Sequence, residues 1–302
     1  MKMKKPVDMP KKDPVTHIIQ EQLHVLGYDS TIRSLIPVNG GSINQAWQVK
    51  TGNQSYFCKA NSATKFPHLF HLEKKGLELV KSTGQIKTPE VIGHFEKDDH
   101  QLLLMEWIET GVRSKKFWTS FGMQLAALHQ VKDTSFGQDY DNYMGSVPQQ
   151  NHKKEKWTHF FISQRLQPMI HHCIRAALLQ PKHLVAFEKL FEKLSLIFDD
   201  SVKPSLVHGD LWSGNFMCNK NGEPVLIDPA VYFGHPAVDL GMTTLFGGFE
   251  AAFYEAYKFH SPFPPGHMDQ WQVCNLYPLL IHLFLFGKHY LPSIERTLQQ
   301  FA

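Results

Sequence analysis

Residues 32–38, 45–50, 55–60 and 101–108 carry the apolar and polar pattern of strands. Residues 66–82 follow another rhythm. There Leu69, Leu72, Gly76, Leu77 and Val80 recur three or four apart, on one face of a helix. From Ser114 onward the pattern is helical, with candidate helices at 115–130, 155–179, 183–198, 248–259 and 268–287. Short strand pairs around turns at 208–215 and 227–230 interrupt this helical half. The pattern predicts an α+β, bilobal fold. A flexible tail (1–14) precedes a small β-rich N-lobe (15–106), and a larger, mainly helical C-lobe (107–302) follows. The lobes would join near 106–109, with a ligand cleft between them.

A chain of 302 residues suits two domains or one bilobal domain, and 42% hydrophobic residues with 22 Phe can bury a sizeable core. The net charge of +3 does not argue for a nucleic-acid surface. The opening MKMKKPVDMPKKDP is basic but lacks the apolar stretch of a secretory signal, so the expected location is cytoplasmic. The apolar run 279–286 is interrupted by His282 and is too short to span a bilayer, so no membrane partner is expected. Four cysteines form no CxxC pair, and 18 histidines form no HExxH pattern. Nothing resembles a coiled-coil seam, so a monomer is the default.

Chemistry concentrates in Leu206-Val-His-Gly-Asp-Leu-Trp-Ser-Gly-Asn215 and Leu226-Ile-Asp-Pro-Ala230. Asp210, Asn215 and Asp228 lie on two short turns, each entered from an apolar strand-like run. One carboxylate can orient a substrate hydroxyl, while an amide and a second carboxylate hold Mg2+ against ATP phosphates. Asp-x4-Asn is also the catalytic-loop interval of protein-kinase-like enzymes.

The N-terminal half supplies the remaining parts of that plan. The turn Asn39-Gly40-Gly41-Ser42 suits a nucleotide-covering loop, because glycines let backbone N–H groups approach phosphate; it also suits an ordinary hairpin. Lys59 ends the strand run Tyr56-Phe57-Cys58-Lys59, and Glu73 lies early in the following helix. That order matches the lysine–glutamate pair that holds the α- and β-phosphates of ATP. The strand 102–108 ends where strands give way to helices. There Glu106, Trp107 and Ile108 would offer backbone groups to an adenine edge, with Met105 at the back of the pocket.

Together these segments resemble the fructosamine kinases, or ketosamine-3-kinases, a branch of the protein-kinase-like superfamily beside aminoglycoside and choline kinases. The resemblance is carried by HGDLWSGN (208–215), IDPAVYFGHPAVDLG (227–241) and FGGFEAAFYEAY (246–257). FGMQLAALH (121–129), YMGSVPQQN (143–151) and WTHFFISQRLQP (157–168) extend it, so that it spans residues 40–290. It implies Asp210 as catalytic base, Asn215 and Asp228 as magnesium ligands, and Lys59 with Glu73 on the phosphates. Trp212 would stack on a sugar or pack beneath the loop, and Asp239 would hold the catalytic loop. His235 and His282 would reach the substrate or be satisfied internally. The implied reaction is ATP- and Mg2+-dependent phosphorylation of a ketosamine hydroxyl, at O3, in deglycation repair. A kinase for another hydroxylated amine, aminoglycoside- or choline-like, and a non-catalytic kinase-like binding module are the alternatives. Gly209 replaces the arginine that many protein kinases carry before the base, and Pro229-Ala230 replaces Phe-Gly, which argues against a phosphorylation-controlled activation segment. Some relatives carry a cysteine where Ser42 stands, and with Ser42 a redox switch at that position is not expected.

Overall fold

The computed structural model describes residues 14–38 and 44–301. The expected tail up to residue 13 and the glycine turn with Gly40, Gly41 and Ser42 lie outside the described residues. Contacts divide the chain into two compact units, Met1–Lys74 with Pro89–Ile108, and Lys75–Thr88 with Glu109–Ala302. The chain thus crosses from one unit to the other inside the helix over Leu69–Ser82.

In the first unit, helix α1 (Pro14–Val25) precedes a five-stranded antiparallel sheet. The strands are β1 (Ser34–Pro37), β2 (Gln45–Lys50), β3 (Ser55–Ser62), β4 (Val91–Lys97) and β5 (His100–Glu106), in the order β1-β2-β3-β5-β4. Proline at the first helical position suits α1, since its missing N–H would have no partner there. Val15, Ile18, Ile19 and Leu23 of α1 bury against Tyr56, Cys58 and Ala60 of β3 and Leu102 and Leu104 of β5. Because strand side chains alternate, Phe57 and Lys59 of β3 share the other face with their cross-strand partners Met105 and Leu103. The sequence pattern did not announce α1 or β4. In β4 a bulge between Val91 and Gly93 breaks the alternation on which a strand reading depends.

The second unit is mainly helical. Helix α2 (Leu69–Ser82) contributes Val80 to its core, and α3 (Lys115–Leu128) begins at Ser114, whose hydroxyl accepts the Phe117 N–H. The predicted helix at 155–179 is three pieces: α4 (Trp157–Phe160), a π-helical stretch (Phe161–Leu166) and α5 (Gln167–Arg175). Pro168 explains the break, because it has no N–H for the preceding turn. Helix α6 (Pro181–Ile197) matches its expectation, and α7 (Ala237–Leu245) and α8 (Ala251–His260) follow. The predicted helix at 268–287 divides at Asn275 into α9 (His267–Cys274) and α10 (Leu276–Phe286), the second with Pro278 in its first turn. Helix α11 (Leu291–Phe301) closes the chain. Phe117, Trp118, Phe121, Phe216, Phe249 and Phe253 form one aromatic cluster of this core.

Three short ladders interrupt the helices: β6 (Asn142–Met144) with β7 (Val147–Gln149), β8 (Ser205–Val207) with β11 (Tyr232–Gly234), and β9 (Phe216–Cys218) with β10 (Pro224–Leu226). The segment 208–215 therefore runs from β8 into β9, and 227–231 runs from β10 into β11. Since β8 pairs with β11 and β9 with β10, the ladders clasp the two motif turns side by side. No helix among the described residues is long and apolar enough to cross a membrane.

Candidate active site

The two turns are sewn together by backbone and imidazole. Ala230 N–H donates to the His208 carbonyl at 2.9 Å, and Ile227 N–H to the Asn215 carbonyl at 3.1 Å. The His208 ring bridges the same gap. Its Nε2 lies 2.9 Å from the Ile227 carbonyl, which only accepts, so Nε2 carries the proton and Nδ1 accepts Asp210 N–H at 3.3 Å. Burial pushes the His208 pKa down against the pull of Asp239, in keeping with a neutral ring. Gly209 turns the loop at φ 84, and a Cβ there would collide with the Ala230 carbonyl oxygen.

Asp239, in the first turn of α7, anchors the loop. Its carboxylate accepts His208 N–H at 2.7 Å, Gly209 N–H at 2.9 Å and His129 Nε2 at 3.1 Å. His129 Nδ1 in turn meets the Tyr257 hydroxyl at 2.8 Å. Burial alone would raise the Asp239 carboxyl, but the hydrogen bond and charge of His129, with the other donors, hold it below the ordinary value.

Asn215 donates Nδ2 to the Asp210 carbonyl and to Asp210 Oδ2, both at 2.9 Å. The Asp210 carboxyl is pushed up to about 7, first by burial and then by the charge of Asp228, with Asn215 opposing. Asp228 occupies the left-handed region at φ 55, a conformation that non-glycine residues keep only where their surroundings over-determine it. A divalent cation fits this donor set. Asn215 spends its amide nitrogen on Asp210, which reserves its oxygen, and the repulsion between Asp210 and Asp228 is what a cation relieves. Few, hard oxygen donors are what Mg2+ uses when phosphates and water complete its shell.

Trp212 is 36% exposed and stands edge-on to Phe246, with centroids 6.1 Å apart. Phe246 contacts the His282 ring at 4.9 Å. His282 Nδ1 donates to the Pro278 carbonyl at 2.8 Å, and burial lowers its pKa, so Nε2 is an acceptor. Two of the sequence candidates, Trp212 and His282, thus share an aromatic row whose middle member, Phe246, had not been singled out. His235 lies apart from it. It is buried against Trp157 and Phe198, its Nδ1 accepts Ala237 N–H at 3.1 Å, and burial pushes its pKa down to about 3.

In the first unit, Lys59 Nζ and Glu73 Oε1 form an ion pair at 2.7 Å, with side chains only 6% and 11% exposed. Gln101 fixes the start of the glutamate's helix: its Oε1 accepts Phe70 N–H at 3.2 Å while its Nε2 donates to the Ser62 carbonyl at 3.0 Å. Met105 is buried, and the Glu106 N–H is paired with the Glu90 carbonyl at 2.8 Å. Trp107 and Ile108 follow the last ladder pair, Tyr56 with Glu106.

The fructosamine kinase family profile matches residues 14–302. The chain belongs to the fructosamine kinase family. It is 39% identical over 296 residues to a protein of Synechocystis sp. named probable ketoamine kinase, covering 98% of each chain. A Lactiplantibacillus plantarum protein of the same name is 38% identical over 277 residues, or 89% of this chain and 95% of the relative. Among solved structures, a Thermobifida fusca protein assigned as a fructosamine-3-kinase superposes with a TM-score of 0.84 at 28% identity, covering 94% and 98% of the two chains. An aminoglycoside phosphotransferase in complex with AMP-PNP and hygromycin B superposes with a TM-score of 0.62 at 15% identity, covering 95% and 99%, which shows the protein-kinase-like fold. Membership makes this chain a kinase enzyme. In this fructosamine kinase family member, His129, Tyr257 and the fully buried Arg165 were not marked by the sequence reading as site residues. Their segments carried the family resemblance, but only packing reveals which side chains meet the loop.

Proposed function

We propose that the protein transfers the γ-phosphoryl group of ATP, with Mg2+, to O3 of a ketosamine, and so acts in deglycation repair. The observation that carries this reading is the fixed pair Asp210–Asn215 beside Asp228, on two turns bridged by His208, the first of them anchored by Asp239, in a chain of the fructosamine kinase family. Asp210 orients the acceptor hydroxyl and takes its proton as the oxygen attacks phosphorus. Asn215 and Asp228 would hold Mg2+, which neutralises phosphate charge. Lys59, oriented by Glu73, binds the phosphates, and Met105 to Ile108 receive the adenine. Trp212 and His282 line the sugar side, Trp212 with its ring and His282 with an acceptor nitrogen. Catalysis here is positioning and electrostatics rather than covalent chemistry. A phosphate on C3, next to the C2 carbonyl, leaves by elimination more readily than hydroxide, and the amine is released in turn.

The test is ADP release with fructosyl-lysine, ribulosyl-lysine, an aminoglycoside and choline, with Asp210→Asn as control and the phosphorylated carbon located by NMR. Turnover confined to the ketosamines, at O3, supports the reading and ranks the two sugars. Turnover with the aminoglycoside or choline alone replaces the substrate class, and silence with all four removes the proposal.

A further inference from the structure

Arg165 lies on the π-helical stretch and is fully buried. Its hydrogen bonds go to neutral oxygens: the Gln150 and Gln164 carbonyls and, at 2.7 Å, Asn151 Oδ1. Its charge rests over the rings of Tyr232 and Phe160, with centroids 4.0 and 4.6 Å away. Burying a guanidinium among neutral groups is costly, so its use must be sought in what it bonds.

Arginine only donates, and that sets a direction through the amides beside it. Once Asn151 Oδ1 accepts from Arg165, Asn151 Nδ2 faces Asn142 Oδ1 at 2.9 Å. Asn142 Nδ2 then donates to the Val231 carbonyl at 2.9 Å. A second branch starts at Tyr277, whose hydroxyl donates to Gln149 Oε1 at 3.0 Å. Gln149 Nε2 is thereby left to donate to the Ala230 carbonyl at 3.2 Å and to Asn142 Oδ1 at 2.8 Å. Each amide has one orientation, and both branches end on consecutive carbonyls just after Asp228-Pro229. Asp228 is the residue held at φ 55.

We propose that this relay, directed by Arg165 and Tyr277, holds the 228–231 backbone so that the Asp228 carboxylate is preset for a divalent cation. Arg165 and Gln149 are positioning residues for cation affinity. The proposal rests on the reading of Asp228 as a magnesium ligand.

Mn2+ binding to the enzyme–ADP complex, read from the EPR signal of free Mn2+, tests it in wild type, Asp228→Asn, Gln149→Met and Arg165→Lys. Gln149→Met keeps length and loses the donor, and is expected to weaken Mn2+ binding about tenfold, the scale of outer support at metal sites. The Mg2+ concentration that half-saturates turnover should rise by the same factor, excess Mg2+ should restore kcat, and the ketosamine KM should stay put. Arg165→Lys keeps the charge but has one nitrogen for three acceptors, and should shift Mn2+ binding in the same direction. Should Arg165→Lys fail to fold, Gln149→Met decides alone. Wild-type Mn2+ affinity in folded Gln149→Met overturns the relay, and so does an equal loss in Mn2+ affinity, ketosamine KM and melting temperature. Unchanged Mn2+ binding in Asp228→Asn would instead remove the magnesium assignment, and the relay's role with it.

Discussion

His129 and Asp239 meet at 3.1 Å with side chains 1% and 0% exposed, in a buried pair whose carboxylate also accepts the His208 and Gly209 N–H groups. Asp239→Asn would present one oxygen to two N–H groups and turn an NH2 toward a neighbour that needs an acceptor. Breaking a buried network of this kind costs about 3 kcal/mol. Urea unfolding should show that loss, and kcat should fall with it because His208 and Gly209 set the approach of Asp210. Unfolding like that of wild type would mean that the loop holds itself.

Asp210→Asn separates chemistry from binding. The amide keeps the volume and a hydrogen bond to the acceptor hydroxyl but takes no proton, so kcat should fall by about 10³. ADP affinity measured by calorimetry should change little, since the proposed phosphate and adenine contacts lie on other residues. A variant with near-normal turnover would remove Asp210 from its role.

Lys59 and Glu73 should behave as one unit. Lys59→Met removes the cation proposed to meet the phosphates, and Glu73→Gln removes its ion-pair partner, so the double variant should be little worse than Lys59→Met. A coupling of about 1–3 kcal/mol in kcat/KM for ATP is the expected non-additivity. Additive effects would mean that the glutamate acts on something other than the lysine.

Much of the fold and of the candidate site was legible in the sequence because it is local. Asp210, Asn215 and Asp228 are spaced by two turns whose strands are read from apolar runs, and Lys59 ends the strand run Tyr56-Phe57-Cys58-Lys59. What stayed hidden depends on distant pairs. The contact of His129 with Asp239 spans 110 positions, and that of Tyr277 with Gln149 spans 128. No period or motif reports such meetings. His235 and His282 show the same limit, since both stand in apolar surroundings in the sequence. One is enclosed by Trp157 and Phe198, and the other joins the row with Phe246.

His235 should make stability depend on pH. Burial, with help from the charges of His129 and Lys132, pushes its folded-state pKa down to about 3, against about 6.5 in an unfolded chain. Between those values the unfolded chain binds a proton that the folded one does not. Stability is therefore fully present above about 6.5 and falls as pH drops, by about 1.4 kcal/mol per unit for this group. His235→Asn keeps an acceptor for the Ala237 N–H and does not titrate, so its melting temperature should fall less steeply between pH 6.5 and 4. Parallel melting curves for the two proteins would show that other groups dominate acid unfolding.

Gly122 of α3 packs directly against the backbone of α8. A Cβ there would collide with the Phe253 carbonyl oxygen and press on Tyr257 N at 2.9 Å and Ala256 Cβ at 3.1 Å. The obstacles are mostly backbone, so Gly122→Ala cannot be absorbed by a side-chain rotation and must push the helices apart, at about 1–3 kcal/mol. The gain in helix propensity from alanine, about 1 kcal/mol, offsets part of this. The displaced helix carries Tyr257, whose hydroxyl meets His129, and His129 meets Asp239. Thermal melts should therefore show a destabilised protein, and kcat measured well below the melting range should fall while ADP affinity holds. A variant less stable but with unchanged kcat would show that the Tyr257–His129–Asp239 chain tolerates movement of α8.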